Sequence, residues 1–236
     1  MYVVLVSPLS HVVVRPEEDP SLGVDFVKMV QQSISQEVGA TVTWDESTES
    51  DEELVADELD PFCWHGLRVA ALQLEEAGTL EGFDPGEEPW DHPLFDEAEK
   101  RGGSKMFPHV VHGEAELVAY APVELEDCFR LTPAADPEEE GAEDEEEGEG
   151  DVAIGSLPGL RRELKILGEA LGLPDPPEIS EDLVPTDSDD PLVEARFGCA
   201  MLAVRAAEAE AIGLPLIIAW DEHAEDDDEP DADSDK

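Results

Sequence analysis

Leu157, Leu160, Leu164, Leu167 and Leu171 recur at steps of three, four, three and four residues. At 3.6 residues per turn this spacing stacks all five on one stripe, so the segment must be an amphipathic helix that buries its leucines against something else. Val193, Phe197, Ala200, Val204, Ala207 and Ala211 step by four, three, four, three and four, which predicts a second helix of the same kind. Gly213 and Pro215 end it, and LPLIIAW follows as an apolar run of strand length. A strand needs neighbours to take up its backbone hydrogen bonds, so the rest of the sheet has to come from upstream.

The upstream chain supplies candidates. Tyr2–Val6 and residues 11–14 are short β-branched runs around Ser7-Pro8-Leu9-Ser10, read as two strands across a turn. Ser21 stands where a helix cap is wanted, Val27, Val30 and Ile34 recur at helical spacing, and Gly39 stops the pattern. Residues 41–44 alternate as a strand would. Asp60-Pro61 turns the chain into a helix marked by Leu67, Ala70, Ala71, Leu74 and Ala77 and ended by Gly78. Residues 79–105 are rich in proline, glycine and acids, with Phe83, Trp90, Leu94 and Phe95 among them, which predicts an ordered loop or short helix pinned by aromatics. Residues 107–112 and 116–123 read as a hairpin around Gly113-Glu114, its second strand covered on both faces, with Leu117, Ala119 and Ala121 opposite Val118 and Tyr120. Strands at both ends with helices between them predict one α+β domain over residues 1–220: a mixed sheet with N-terminal strands, a central hairpin, two C-terminal amphipathic helices and a terminal strand.

Charge constrains function more than fold. The 236 residues hold 62 acids against 13 Lys and Arg, a net charge of −49. DPEEEGAEDEEEGEGD at 136–151 has eleven acids in sixteen residues, and DEHAEDDDEPDADSDK at 221–236 has ten. Such runs cannot bury enough apolar surface to fold, so residues 134–152 read as a disordered insert and 221–236 as a disordered tail. The other 41 acids face 12 cations, so the folded body is itself acidic. Binding to nucleic acid or to anionic lipid is disfavoured on this charge, and a basic protein is the expected partner. The same charge would suit a salt-adapted housekeeping protein.

The chemistry-bearing residues are few. Cys63, Cys128 and Cys199 lie more than sixty residues apart, with no paired spacing for a zinc ribbon or redox couple. No phosphate loop, dinucleotide fingerprint, nucleophile elbow or zinc-protease motif occurs, and neither a cofactor nor a metal is expected. His109 and His112 would point to opposite sides of the expected strand and could not share one ion. Cys63 and His65 bring a thiol near an imidazole, yet a buried cysteine anchoring a helix start accounts for them; an enzyme built from Cys63, His65, His109 and His112 is the competing reading. Ser156 in IGSLPG is placed as a helix N-cap. Arg161, Arg162 and Lys165 form the densest basic patch, read as neutralising nearby carboxylates. Trp90, Phe95, Arg161 and Arg162 are the candidate partner contacts. The N-terminal MYVVLVSPLS has no basic leader and too few apolar residues for a signal or a span, so a cytoplasmic location is expected.

Four stretches carry a resemblance: MYVVLVSPLS, FPHVVHGEAEL with the strand ending at Ala121-Pro122-Val123, IGSLPGLRRELKIL, and a C-terminal helix running into GLPLIIAW. Their order resembles a loosely defined group of uncharacterised bacterial cytoplasmic proteins, some of which look like immunity or toxin-neutralising proteins. The resemblance implies a small, acidic, non-enzymatic binder that occludes a basic protein. It transfers no catalytic residue, and the long acidic insert and tail depart from it.

Overall fold

The computed structural model describes residues 1–12, 21–46, 55–112, 115, 117–131, 152–180, 183–185 and 190–220. The six strands are Tyr2–Val6 (β1), Val55–Leu59 (β2), Leu117–Ala121 (β3), Phe129–Leu131 (β4), Val152–Ser156 (β5) and Leu216–Trp220 (β6). The six helices are Leu9–Val12 (α1), Ser21–Val38 (α2), Pro61–Ala77 (α3), Pro93–Lys100 (α4), Leu157–Leu171 (α5) and Val193–Ile212 (α6). Together they form the expected α+β fold around one mixed sheet, in the order β2-β1-β6-β3-β5-β4.

The C-terminal strand lies inside this sheet. β6 pairs antiparallel with β1 on one side and with β3 on the other, so the two ends of the described chain are joined by a ladder running from Tyr2↔Trp220 to Val6↔Leu216. β3 runs parallel to β5, and β4 closes that edge antiparallel to β5. β2 closes the opposite edge against β1. The period of two in β3 and β6 divides the core. Val118, Tyr120, Leu216 and Ile218 face α3, α5 and α6, while Ala119, Ala121 and Ile217 face α1, α2 and Val42. Covering on both faces, expected for residues 117–121, is what β3 shows.

The leucine stripe of α5 is buried at all five positions, each 2 % exposed or less. Burial of side chains of this size contributes about 1.5–3 kcal/mol apiece. Ser156 caps α5 by accepting the Gly159 N–H at 2.9 Å, and Gly172 ends it in the left-handed conformation. In α6 the buried side is Ala195, Gly198, Cys199, Ala200, Leu202, Ala206 and Ala209, whereas Ala207 and Ala211 are exposed. The expected stripe is thus rotated, because α6 packs against both α3 and α5 and its small residues let three helices approach one another.

Several local expectations are corrected. Residues 11 and 12 belong to the single turn α1, not to a strand; residues 13 and 14 lie outside the described residues. Leu9 is driven under α2, where Gly23 lies so close to Ser10 that a Cβ there would come within 2.0 Å of its carbonyl oxygen. Residues 41–44 keep their alternating burial but form no ladder, since α2 side chains take their backbone groups: Ser35 Oγ accepts the Val42 N–H at 2.7 Å, and Gln31 donates to the Trp44 carbonyl at 2.8 Å. Residues 107–112 are a buried turn instead of half a hairpin, and the expected hairpin partner β3 pairs with β5 and β6. Strands β2, β4 and β5 were not expected. Val152, assigned to the acidic insert, is the buried first residue of β5, while the rest of that run and the tail lie outside the described residues.

Candidate interaction surface

Beyond the left-handed Gly78, residues 79–103 form a ledge laid on the end of α3. Phe83, Pro89 and Ala98 are buried and hold it down. A 3₁₀ turn over Pro89–Asp91 leads into α4, whose first free N–H, at Leu94, is taken by His92 Nδ1 at 3.3 Å. Gly102 and Gly103, at φ 85° and 99°, turn the chain back towards the core in a conformation that L side chains rarely adopt.

The outer side of the ledge is anionic up to Glu99, after which Lys100 and Arg101 are exposed cations. Glu81, Asp84, Glu87, Glu88, Asp91, Asp96, Glu97 and Glu99 are all exposed, and no Lys or Arg interrupts residues 81–99. Among the described residues no cation pairs with any of the eight. Elsewhere cations are consumed in pairs: Arg205 with Asp57 and Glu208, Arg196 with Asp190, Lys28 with Asp25, and Arg101 with Glu76 at 2.5 Å.

The underside is aromatic and encloses a buried cation. Arg68, 4 % exposed, lies 4.7 Å from the Phe95 ring centre and 5.7 Å from that of Trp64. It donates to the His112 carbonyl at 2.6 Å and contacts His65 Nδ1 at 3.2 Å. His65 Nε2 meets the Tyr2 hydroxyl at 3.0 Å. Burial first, and the Arg68 charge second, push His65 down to about 3, so its ring is neutral at physiological pH. Trp90 packs edge-on against Phe62 at 5.3 Å and His65 at 6.2 Å. The candidate contacts Trp90 and Phe95 are both half-buried and both pack edge-on against the His65 ring.

The other two candidate contacts lie on α5. Arg161 pairs with Glu210, Arg162 with Glu124 at 2.9 Å, and Lys165 with Asp175 at 2.9 Å, so this basic patch neutralises carboxylates of the folded body.

The ledge's C-terminal end is held by Glu75, which accepts from the Ser104 hydroxyl and from the Lys105 and Met106 N–H groups at 3.2 Å. Burial works against this carboxylate, but those donors and Arg101 hold it below the ordinary range. A second carboxylate, Glu163 of α5, takes the His109 N–H at 3.0 Å and the Val110 N–H at 2.8 Å. Tyr120 donates to the His109 carbonyl at 2.7 Å. Residues 104–112 are thus a strap whose backbone groups are satisfied by side chains, which is why no strand partner was needed.

The residues of the competing enzyme reading are dispersed within the core. Cys63 is 1 % exposed, backs onto Gly198, and has its thiol pushed up to about 12, by burial first and then by Asp60 and Glu194. Among the described residues no hydrogen bond joins it to His65, His109 or His112. His109 instead contacts Cys128 Sγ at 3.5 Å, a pairing nineteen residues apart that no spacing rule marks. Burial, and behind it Glu163 and Asp127, push the Cys128 thiol up as well, which favours its protonated form. The His112 ring rests against Trp64 and Tyr120. Among the described residues no group of three or more His, Cys, Asp or Glu is placed to hold a metal ion, and no helix is long and apolar enough to cross a membrane.

The chain belongs to the family described as "Putative DNA-mimic protein", whose model matches residues 5–218. No curated protein and no solved structure matches it. A family so described is one of non-catalytic binders, and the protein is not an enzyme. Membership also corrects the expected partnership. Nucleic acid had been set aside on charge alone, with only a basic protein in view, yet DNA re-enters as the molecule imitated.

Proposed function

We propose that the protein occupies the DNA-binding face of a partner protein, presenting carboxylates where that face expects phosphates. The match to the DNA-mimic family over residues 5–218 is the observation that carries this reading. The ledge at 81–99 supports it, because eight outward carboxylates with no cation among them offer a basic groove what a phosphate backbone offers. Trp90 serves as an aromatic contact, and Arg161 and Arg162 serve only at the margin, their charge being partly neutralised already. Long-range attraction steers the encounter and short-range occlusion keeps DNA out, in the manner of an immunity protein acting on a basic target in the cytoplasm.

The test is displacement. DNA-binding proteins immobilised on duplex DNA are challenged with the protein at about 50 mM and about 500 mM salt, and the released proteins are identified. Release at low salt of proteins that bind DNA, weakened at high salt and lost when the ledge charges are reversed, is the expected result. If nothing is released at either salt concentration, the reading fails.

A further inference from the structure

The ladder between β1 and β6 sets Tyr2 directly opposite Trp220, and their rings meet edge-on with centres 4.9 Å apart. The period of two puts both on the side of the sheet that carries α3. Tyr2 contacts His65 at 5.7 Å, His65 meets Trp90 at 6.2 Å, and Trp90 meets Phe62 at 5.3 Å. A continuous seam of rings thus runs from the end of β6 to the start of α3. His65 is its buried middle, Tyr2 and Trp90 are half-buried, and Phe62 and Trp220 surface at 38 % and 39 % exposed. Joined apolar rings at a surface mark a contact site where scattered ones would not. Each surface ring also has a carboxylate close by along the chain: Asp60 before Phe62, Glu88 and Asp91 around Trp90, and Asp221 directly after Trp220. A second copy is a poor occupant, because two such surfaces on chains of net charge −49 repel each other.

We propose that the seam of Phe62, Trp90, Tyr2 and Trp220 is an arginine-reading site, which takes guanidinium groups of the partner's basic face onto its rings while the adjacent carboxylates engage their N–H groups. A guanidinium is flat and weakly hydrated, so it stacks on a ring and still offers a fork of donors to an acid; a lysine ammonium gains from the acids but less from the rings. The seam already holds one guanidinium on its inner side. Arg68 lies 4.7 Å from the centre of Phe95 and 5.7 Å from that of Trp64, rings that touch His65 and Tyr2. Arginine is also the residue with which DNA-binding faces fork onto phosphate and guanine. The identity of the partner rests on the DNA-mimic reading. Within it the two surfaces divide the work: the ledge attracts any cation, and the seam selects arginine.

The experiment follows the indole N–H NMR signals of the full chain during titration with tetra-arginine and with tetra-lysine at about 150 mM salt. The Trp90 and Trp220 signals are expected to reach half-shift at a tetra-arginine concentration at least about fivefold below that of tetra-lysine. Trp44, which packs on the opposite side of the sheet with its Nε1 donating to Glu46 at 2.7 Å, is expected to stay in place. In Trp220→Leu the tetra-arginine half-shift read at Trp90 should rise at least about threefold, and that of tetra-lysine should stay within about twofold. Equal half-shifts for the two peptides in the wild type, a Trp44 shift as large as that of Trp90, or an arginine preference undiminished in the variant overturns the proposal. Should the variant not fold, Phe62→Leu takes its place with the same expectation at Trp90. A wild-type dimer in light scattering that the variant returns to monomer would assign the seam to a second copy, which overturns the proposal as well. No DNA-binding protein enters these measurements, so the arginine site and the DNA-mimic reading fail separately.

Discussion

The ledge at 81–99 and the outer surface of α5 and α6 are both densely charged, but they are organised oppositely. On α5 and α6 each of Arg161, Arg162, Lys165, Arg196 and Arg205 finds a carboxylate, so the local field is largely cancelled. On the ledge eight carboxylates face water, and among the described residues none is paired with a cation. On α5 and α6 the cations are spent in such pairs, whereas residues 81–99 contain no Lys or Arg. Net charge by itself therefore says little about where a partner binds; the distribution of its neutralisation says more.

The contrast can be tested at four levels of effect. Leu164→Ala should cost about 2–5 kcal/mol in urea unfolding, because α5 stands on its leucine stripe, whereas Glu87→Ala on the ledge should stay within about 0.5 kcal/mol. Equal costs would mean that the ledge is part of the core. Reversing Glu87, Glu88, Asp91 and Glu97 to lysine should slow association with a displaced DNA-binding partner about 10²–10³-fold at low salt, with the gap closing as salt rises. Reversing Glu124, Asp175 and Glu210 should slow it less than about tenfold, and rapid-mixing kinetics on both sets would show whether the two surfaces differ at all.

The third level is the response to acid. His65 and His109 are both held below the ordinary imidazole value, chiefly by burial, so the unfolded chain binds protons that the folded chain refuses. Their contribution is present above about pH 6.5 and is lost as pH falls, at up to about 1.4 kcal/mol per pH unit for each ring. His65→Gln should reduce that acid slope by about one proton in denaturation measured at several pH values; an unchanged slope would remove His65 from the neutral, buried underside of the ledge. The smallest effect should come from Arg162→Ala, which breaks an exposed pair with Glu124 and should cost about 0–1 kcal/mol by the same measurement.

How much of this was legible depended on whether the signal was local. The α5 stripe, the Ser156 cap, the stops at Gly78 and Gly213 and the terminal strand are each set by spacing or backbone conformation within a few residues, and they read correctly. The pinned segment at 79–105 was legible as well, because buried aromatics in a polar stretch have few other uses. β2 was missed since VADEL, at a sheet edge, carries its acids where a core strand would carry valine. β4 and β5 were missed because a three-residue FRL and a VAIGS running into a helix are too short to show a period. The turn at 107–112 looked like a strand because the residues that satisfy its backbone, Glu163 and Tyr120, are contributed from elsewhere in the chain.

The amino-acid sequence by itself determined the helices with stripes, the caps and breakers that bound them, the acidic character and the lack of a catalytic motif, because each follows from neighbours along the chain or from composition. Tertiary structure alone decided that β6 sits inside the sheet and that Glu163 holds a strap fifty residues away. Those outcomes depend on which distant groups come within a few ångströms of each other, and hydrogen bonds and ion pairs act only at that range.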